Sequence, residues 1–241
     1  MGDSPGDSPR TEPHQLRSNS ATARATSGGS PYREWTMARR PRRELPDGLA
    51  HVTCRTVRRF PLFRTERDAL ALLELLQYVT REVAEWKVLA YCLMPNHVHY
   101  VVDAEIEQLS LAMRHVNGLY AQYFNREHGY RGHLFQGRFH AKATVDEAHL
   151  PGAVRYVVLN PVRAGLCARP ENWRWSSYRA CAGLEPARPF LDVERALSLF
   201  GTNETAARRS FCGFVEEELA RASERGQAPG LSPSRPATAT G

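Results

Sequence analysis

The stretch WKVLAYCLMPNHVHYVVDA, residues 86–104, decides how this chain folds. Its two apolar runs, 86–94 and 97–104, have strand length, and the Pro-Asn pair between them suits a tight hairpin. Side chains two apart on a strand share a face, so His97 and His99 project together while Val98 turns away. Two neutral imidazoles this close can share a divalent cation, whereas burying them without partners leaves polar nitrogens unsatisfied. A lone His-x-His is as consistent with hydrogen bonding inside a core as with metal binding.

Outward from the hairpin, the pattern alternates between strand and helix. GLAHVTCRTVRRF (48–60) reads as a first strand, and TERDALALLELLQYVTREVA (65–84) as a helix with Thr65 as its N-cap. EIEQLSLAMRHVNGLYAQYFNREHG (105–129) is a second amphipathic helix stopped by Gly129. FQGRFHAKATV (135–145) is expected to be a fourth strand, and Asp146 to cap a third helix that Pro161 halts near Leu159. This order predicts an α+β fold, ferredoxin-like or RRM-like, with a small antiparallel sheet covered on one face by helices. From about Asp192 to Arg225 the pattern is again helical.

Composition sets the bounds. Residues 1–36 are rich in Ser, Pro, Gly, Thr and Arg without an apolar period, and residues 226–241 read the same way, so both are expected to be disordered. That leaves roughly 185 residues, enough for one domain with an appendage. The net charge of +6 favours anionic partners, and the arginines are densest over 38–60, with Arg39, Arg40, Arg42 and Arg43 as a candidate basic arm. Five cysteines without a CxxC pair argue against a zinc ribbon or a disulfide scaffold. With no signal-peptide core and no apolar run of spanning length, a cytoplasmic protein is expected.

Several His-x-His chemistries fail here. A metallo-β-lactamase-type HxHxDH needs an aspartate two places after His99, and a histidine-triad hydrolase needs a histidine there; Val101 occupies that place. An amidohydrolase barrel needs about 250 residues in a different element order.

Two histidines leave a cation short of ligands, so another element should contribute. In GAVRYVVLNPVRAG (152–165), Tyr156 and Asn160 stand four apart on one helical face, beside a stripe formed by Val154, Val157 and Val158. As a reactive phenol, Tyr156 competes with Tyr91, Tyr120 and Tyr123. Pro151 and Gly152 weaken the early part of this helix, which is expected to begin after them or to kink. Arg138, Lys142 and Arg163 flank the site as candidate phosphate contacts. Trp173, Trp175 and Tyr178 could stack on bases, although core packing is the favoured role.

Taken together, PNHVHYVV, RYVVLNPVRAG and WRWSSYRA resemble the REP-associated tyrosine transposases, relatives of the single-tyrosine insertion-sequence transposases within the His-hydrophobic-His (HUH) nucleases. The resemblance spans about residues 37–180, with 181–225 as a helical appendage. It implies that Tyr156 is the nucleophile, that His97, His99 and Asn160 are the metal ligands, and that the cofactor is Mg²⁺ or Mn²⁺. It also implies a single-stranded DNA substrate with hairpins, cleaved and rejoined through a 5′-phosphotyrosine, by a monomer or homodimer associated with the nucleoid. MARRPRR looks like the usual beginning of such proteins, so Met37 is the expected native start. The alternatives are a non-catalytic nucleic-acid-binding protein on the same fold and a metal-dependent phosphodiesterase that uses water.

Overall fold

The computed structural model describes residues 47–143 and 147–224. The N-terminal extension, the arginine arm, Asp146 and the C-terminal tail lie outside them.

Four strands form one antiparallel sheet: β1 (Gly48–Arg55), β2 (Lys87–Met94), β3 (His97–Ala104) and β4 (His140–Ala143), in the order β2-β3-β1-β4. With α1 (Glu66–Glu82) after β1 and α2 (Ile106–His128) after β3, this is the ferredoxin-like arrangement that the sequence predicts. Thr65 caps α1 as expected: its hydroxyl accepts from the Asp68 amide while the Asp68 carboxylate accepts from the Thr65 amide. Gly129 ends α2 at φ 67°, a left-handed conformation that glycine adopts without a Cβ penalty. Among the described residues of the predicted fourth strand, His140–Ala143 are strand.

The hairpin turns at Pro95-Asn96, with Met94 opposite His97. The turn is fastened from outside. Leu62 N donates to Pro95 O (2.6 Å), and the Thr56 amide and hydroxyl both donate to Asn96 O (3.0 and 2.9 Å).

Helices cover both faces of the sheet, not one. On the first face, Val52, Tyr100 and Val102 pack with Leu72, Leu76, Val116 and Phe124 of α1 and α2. On the second face, α3 (Leu150–Arg163) sets Val154, Val157 and Val158 against Leu89, Ala90 and Cys92 of β2 and Val101 of β3. The cause is β2, buried at every position after Lys87, because a strand apolar on both sides needs cover on both.

Helix α3 also departs from its predicted limits. It starts at Leu150, with Pro151 in the first turn, where a missing N–H leaves nothing unsatisfied. It then runs through Pro161 to Arg163. Pro161 has no N–H for the Val157 carbonyl, but Asn160 Nδ2 supplies one at 3.4 Å and also donates to Tyr156 O at 2.8 Å. The end of the helix is closed by Ala164 N donating to Asn160 O and Leu166 N to Pro161 O, both at 2.9 Å.

WRWSSY lies along the outer edge of β2. Leu93 N donates to Trp175 O, Ser177 N to Tyr91 O and Trp173 Nε1 to Leu93 O, at 2.8 to 2.9 Å. Trp175 and Tyr178 are buried, which favours packing over base stacking. The chain then forms α4 (Tyr178–Cys181), α5 (Val193–Leu197) and α6 (Glu204–Glu224). The appendage is helical as predicted, and Phe211 and Val215 of α6 join the core beneath α3. Arg155 stacks its guanidinium 3.8 Å from the Phe214 ring centre, and Glu218 pairs with Arg155 (3.7 Å) and Arg163 (3.8 Å). Among the described residues, no helix is long and apolar enough to cross a membrane.

Candidate active site

The second face of the sheet changes character from β2 to β4. The pairing register lines up Cys92, His99, Thr53 and His140 across the four strands. In the same register, Arg55 lies opposite His97, and His51 lies opposite both Val101 and Lys142. Partners directly opposite share a face. The half covered by α3 is therefore apolar, and the half toward β4 carries imidazoles and cations.

His97 and His99 do point the same way, with ring centres 4.8 Å apart and edge-to-face. Each has its Nδ1 engaged by the protein. His97 Nδ1 donates to Asn96 Oδ1 at 2.7 Å. His99 Nδ1 lies 2.9 Å from His51 Nε2 and 3.2 Å from Thr53 Oγ1. Both rings thus keep Nε2 for a ligand.

All three imidazoles are neutral near pH 7. Burial, and then Arg55, lowers the pKa of His97 to about 4. Burial, with His51, His97 and Arg55 adding to it, lowers that of His99 to about 2. Burial, followed by His140 and Lys142, brings His51 to about 4. Neutral imidazoles carry the lone pair that a cation needs.

Tyr156 reaches this group from α3. Its half-buried ring lies 5.5 Å from that of His51 and 5.9 Å from that of His99, edge-on to both. Arg163 holds its guanidinium 5.0 Å from the Tyr156 ring centre and donates to the Tyr156 carbonyl at 3.4 Å. The competing tyrosines are elsewhere. Tyr91 packs on the first face against Phe190, Tyr120 donates to Leu62 O at 2.6 Å, and Tyr123 donates to Asp68 at 3.3 Å.

Asn160 lies one turn beyond Tyr156, and no hydrogen bond joins it to either histidine. With Nδ2 turned into its own helix, its Oδ1 is the acceptor left for a ligand. Among the described residues, no cluster of three or more His, Cys, Asp or Glu side chains gathers as a metal centre. Two imidazole nitrogens and an amide oxygen make a mixed donor set that a divalent cation completed by water or phosphate oxygens could use, and that set alone does not select Mg²⁺ or Mn²⁺ over Zn²⁺.

The predicted basic residues divide. Lys142 and Arg163 belong to the site, whereas Arg138 is exposed on the loop before β4 and the structure does not bring it to Tyr156 or the histidines. Sequence reasoning missed His51, Thr53, Arg55 and His140. The alternation of β1 was a signal for three of them: with Val52 and Cys54 inward, His51, Thr53 and Arg55 must face the other side.

Residues 46–160 match the family model described as "Transposase IS200 like". A solved REP-associated tyrosine transposase bound to a REP hairpin is 21% identical, covers 65% of this chain and 94% of its own, and superposes with a TM-score of 0.52. At that identity the likeness establishes the fold. A candidate transposase from Deinococcus radiodurans is 18% identical over 51% of this chain and 97% of its own, with a TM-score of 0.34, too low to support an argument. No curated relative matches the chain.

Proposed function

We propose, from the match of residues 46–160 to the IS200-like transposase family, that the chain cleaves and rejoins single-stranded DNA beside hairpins through a 5′-phosphotyrosine on Tyr156. His97, His99 and Asn160 would hold Mg²⁺ or Mn²⁺. The observation that carries the reading is the position of Tyr156, the tyrosine whose ring borders the histidine group.

A phenol has a pKa near 10 and is a weak nucleophile at neutral pH, so the phosphate it attacks must be activated. Bound Mg²⁺ or Mn²⁺ supplies Lewis-acid polarisation of a phosphoryl oxygen. The protein supplies the rest. Neutral His97 and His99 present nitrogen lone pairs rather than positive charge. Arg163, over the Tyr156 ring, and Lys142, across from His51, offset phosphate charge as it builds. Tyr156 Oη forms a bond to phosphorus as the bond to the 3′ oxygen breaks. The proton lost by the phenol balances the one gained by the released 3′-OH. Because the phosphotyrosine keeps the energy of the broken linkage, a second 3′-OH can reverse the step and join strands. The neighbour solved with a REP hairpin favours hairpin DNA as the substrate.

A hairpin-bearing oligonucleotide incubated with the protein and Mn²⁺ tests this directly. An SDS-resistant protein–DNA adduct that disappears in Tyr156→Phe is expected. Cleavage without an adduct would mean that water is the nucleophile, and retention without cleavage would mean a binding module; either overturns the reading.

A further inference from the structure

We propose that His51 is a positioning residue of this site: its Nε2 accepts the Nδ1–H of His99 and so holds that imidazole in the one tautomer that leaves Nε2 bare for a cation. The inference rests on His99 acting as a metal ligand.

The ring geometry carries it. His51 Nε2 and His99 Nδ1 are 2.9 Å apart, the planes differ by 17°, and the centroids are 5.1 Å apart. That separation is close to the furthest a 2.9 Å contact permits, so the rings lie edge to edge, not face on face. Their two nitrogens point straight at each other along one line, which is the arrangement of an N–H···N hydrogen bond. Two nitrogens sharing a cation would instead converge on a point off that line and draw the centroids closer. His51 is therefore an orienter of His99, not a fellow ligand.

The arrangement around His51 supports that role. The Tyr156 ring stands edge-on at 5.5 Å, so His51 touches the proposed ligand and the proposed nucleophile at once. Asn96 fixes His97 in the same sense, through Nδ1 and from the opposite end of the pair. Thr53 Oγ1, at 3.2 Å, is the competing acceptor for His99. Such outer partners set ligand orientation and are worth about 10–100-fold in metal affinity.

The full chain allows a test in two parts. Long-range ¹H–¹⁵N spectra of the metal-free protein report which nitrogen of His99 carries hydrogen, and Nδ1–H is expected. Mn²⁺ titration followed by electron paramagnetic resonance should show His51→Leu binding about 10–100-fold more weakly than wild type. His51→Gln, whose carbonyl can accept the same hydrogen, should recover most of that loss, with both variants melting near wild type in EDTA. An Nε2–H tautomer in the wild type, wild-type affinity in His51→Leu, or a loss that follows Thr53→Val instead overturns the proposal. Mn²⁺ binding that is absent in the wild type, or that survives His97→Ala and His99→Ala, sinks the ligand assignment itself; the tautomer spectrum shows which of the two failed.

Discussion

On the proposed reading Asn160 has two separable duties, so substitutions at this position should move stability and metal affinity in different orders. Its Nδ2 donates to Tyr156 O at 2.8 Å and covers the Val157 carbonyl that Pro161 would leave without a donor. Asn160→Ala removes that support, a net loss of about 0.5–1.5 kcal/mol for a half-buried hydrogen bond. For a domain of this size that loss is about 1–6 °C in Tm. Asn160→Asp should cost more. It places a carboxylate against two carbonyls in the last turn of α3, where the helix dipole is negative, for about 0.3–1 kcal/mol beyond the alanine loss. Melting in EDTA should therefore rank wild type above Ala above Asp. Mn²⁺ affinity should rank differently. Asp retains an oxygen ligand and adds charge, so it should bind at least as tightly as wild type, with Ala last. Thermal melts in EDTA and Mn²⁺ titrations of the three proteins measure both orders. Wild-type Mn²⁺ affinity in Asn160→Ala, or the same ranking in both experiments, would refute the division of the amide into a structural nitrogen and a ligand oxygen.

Tyr156→Phe should abolish the SDS-resistant adduct while changing single-stranded DNA affinity by less than about twofold, because it removes one hydroxyl and leaves the surrounding cations in place; gel retardation beside the adduct assay measures both. Lys142→Ala and Arg163→Ala should each reduce the slope of log affinity against log salt by about 0.7 on single-stranded DNA, and Arg138→Ala should leave it unchanged, as a salt series for each variant would show. Asp68, fully buried, accepts from the Arg64 and Thr65 amides at 2.9 Å and from His128 at 3.0 Å. Burial alone would raise its pKa, but these hydrogen bonds prevail and hold it below the usual carboxylate value. A depressed folded pKa means stability that is present above the unfolded pKa and lost as pH falls through the folded one. Denaturant titrations should therefore show Asp68→Ala about 3–5 kcal/mol less stable at pH 7, with the gap narrowing below about pH 4.

The local signals in the sequence were strong where a single period governed a segment. The hairpin at Pro95-Asn96, the Thr65 cap and the Gly129 stop follow from turn length, side-chain chemistry and φ, which act within a few residues. The pairing of His97 with His99 follows from strand geometry alone. What stayed hidden needed partners distant in the chain. His51 lies 48 positions from His99, and only the register that sets Thr53 opposite His99 brings it to the site. Pro161 read as a stop because its missing donor is visible in the sequence, while the Asn160 amide that replaces it is visible only in three dimensions. The expectation of helices on one face fails at β2, which is buried on both sides and so requires cover on both.

The position of the histidine pair along β3 is as consequential as its spacing. The second face is apolar wherever α3 lies over it, at Leu89, Ala90, Cys92 and Val101, and turns polar at His99, one strand pairing from Thr53. Shifted two residues along the strand, the pair would place an imidazole at Val101, among the apolar side chains that α3 covers. Shifted by one residue, the histidines would take the places of Val98 and Tyr100 in the first-face core, because side chains alternate faces. Register is therefore functional, and it is set at the turn. The Thr56 amide donates to the Asn96 carbonyl, its hydroxyl hydrogen is shared between the Asn96 and Phe60 carbonyls, and Leu62 N holds the Pro95 carbonyl. These bonds tie the segment after β1 to the turn before β3, fixing Arg55 opposite His97 and Thr53 opposite His99. The same fastening that closes the hairpin thus places the imidazoles at the border between the covered and open halves of the sheet, where Tyr156 can reach them and a phosphate backbone can approach.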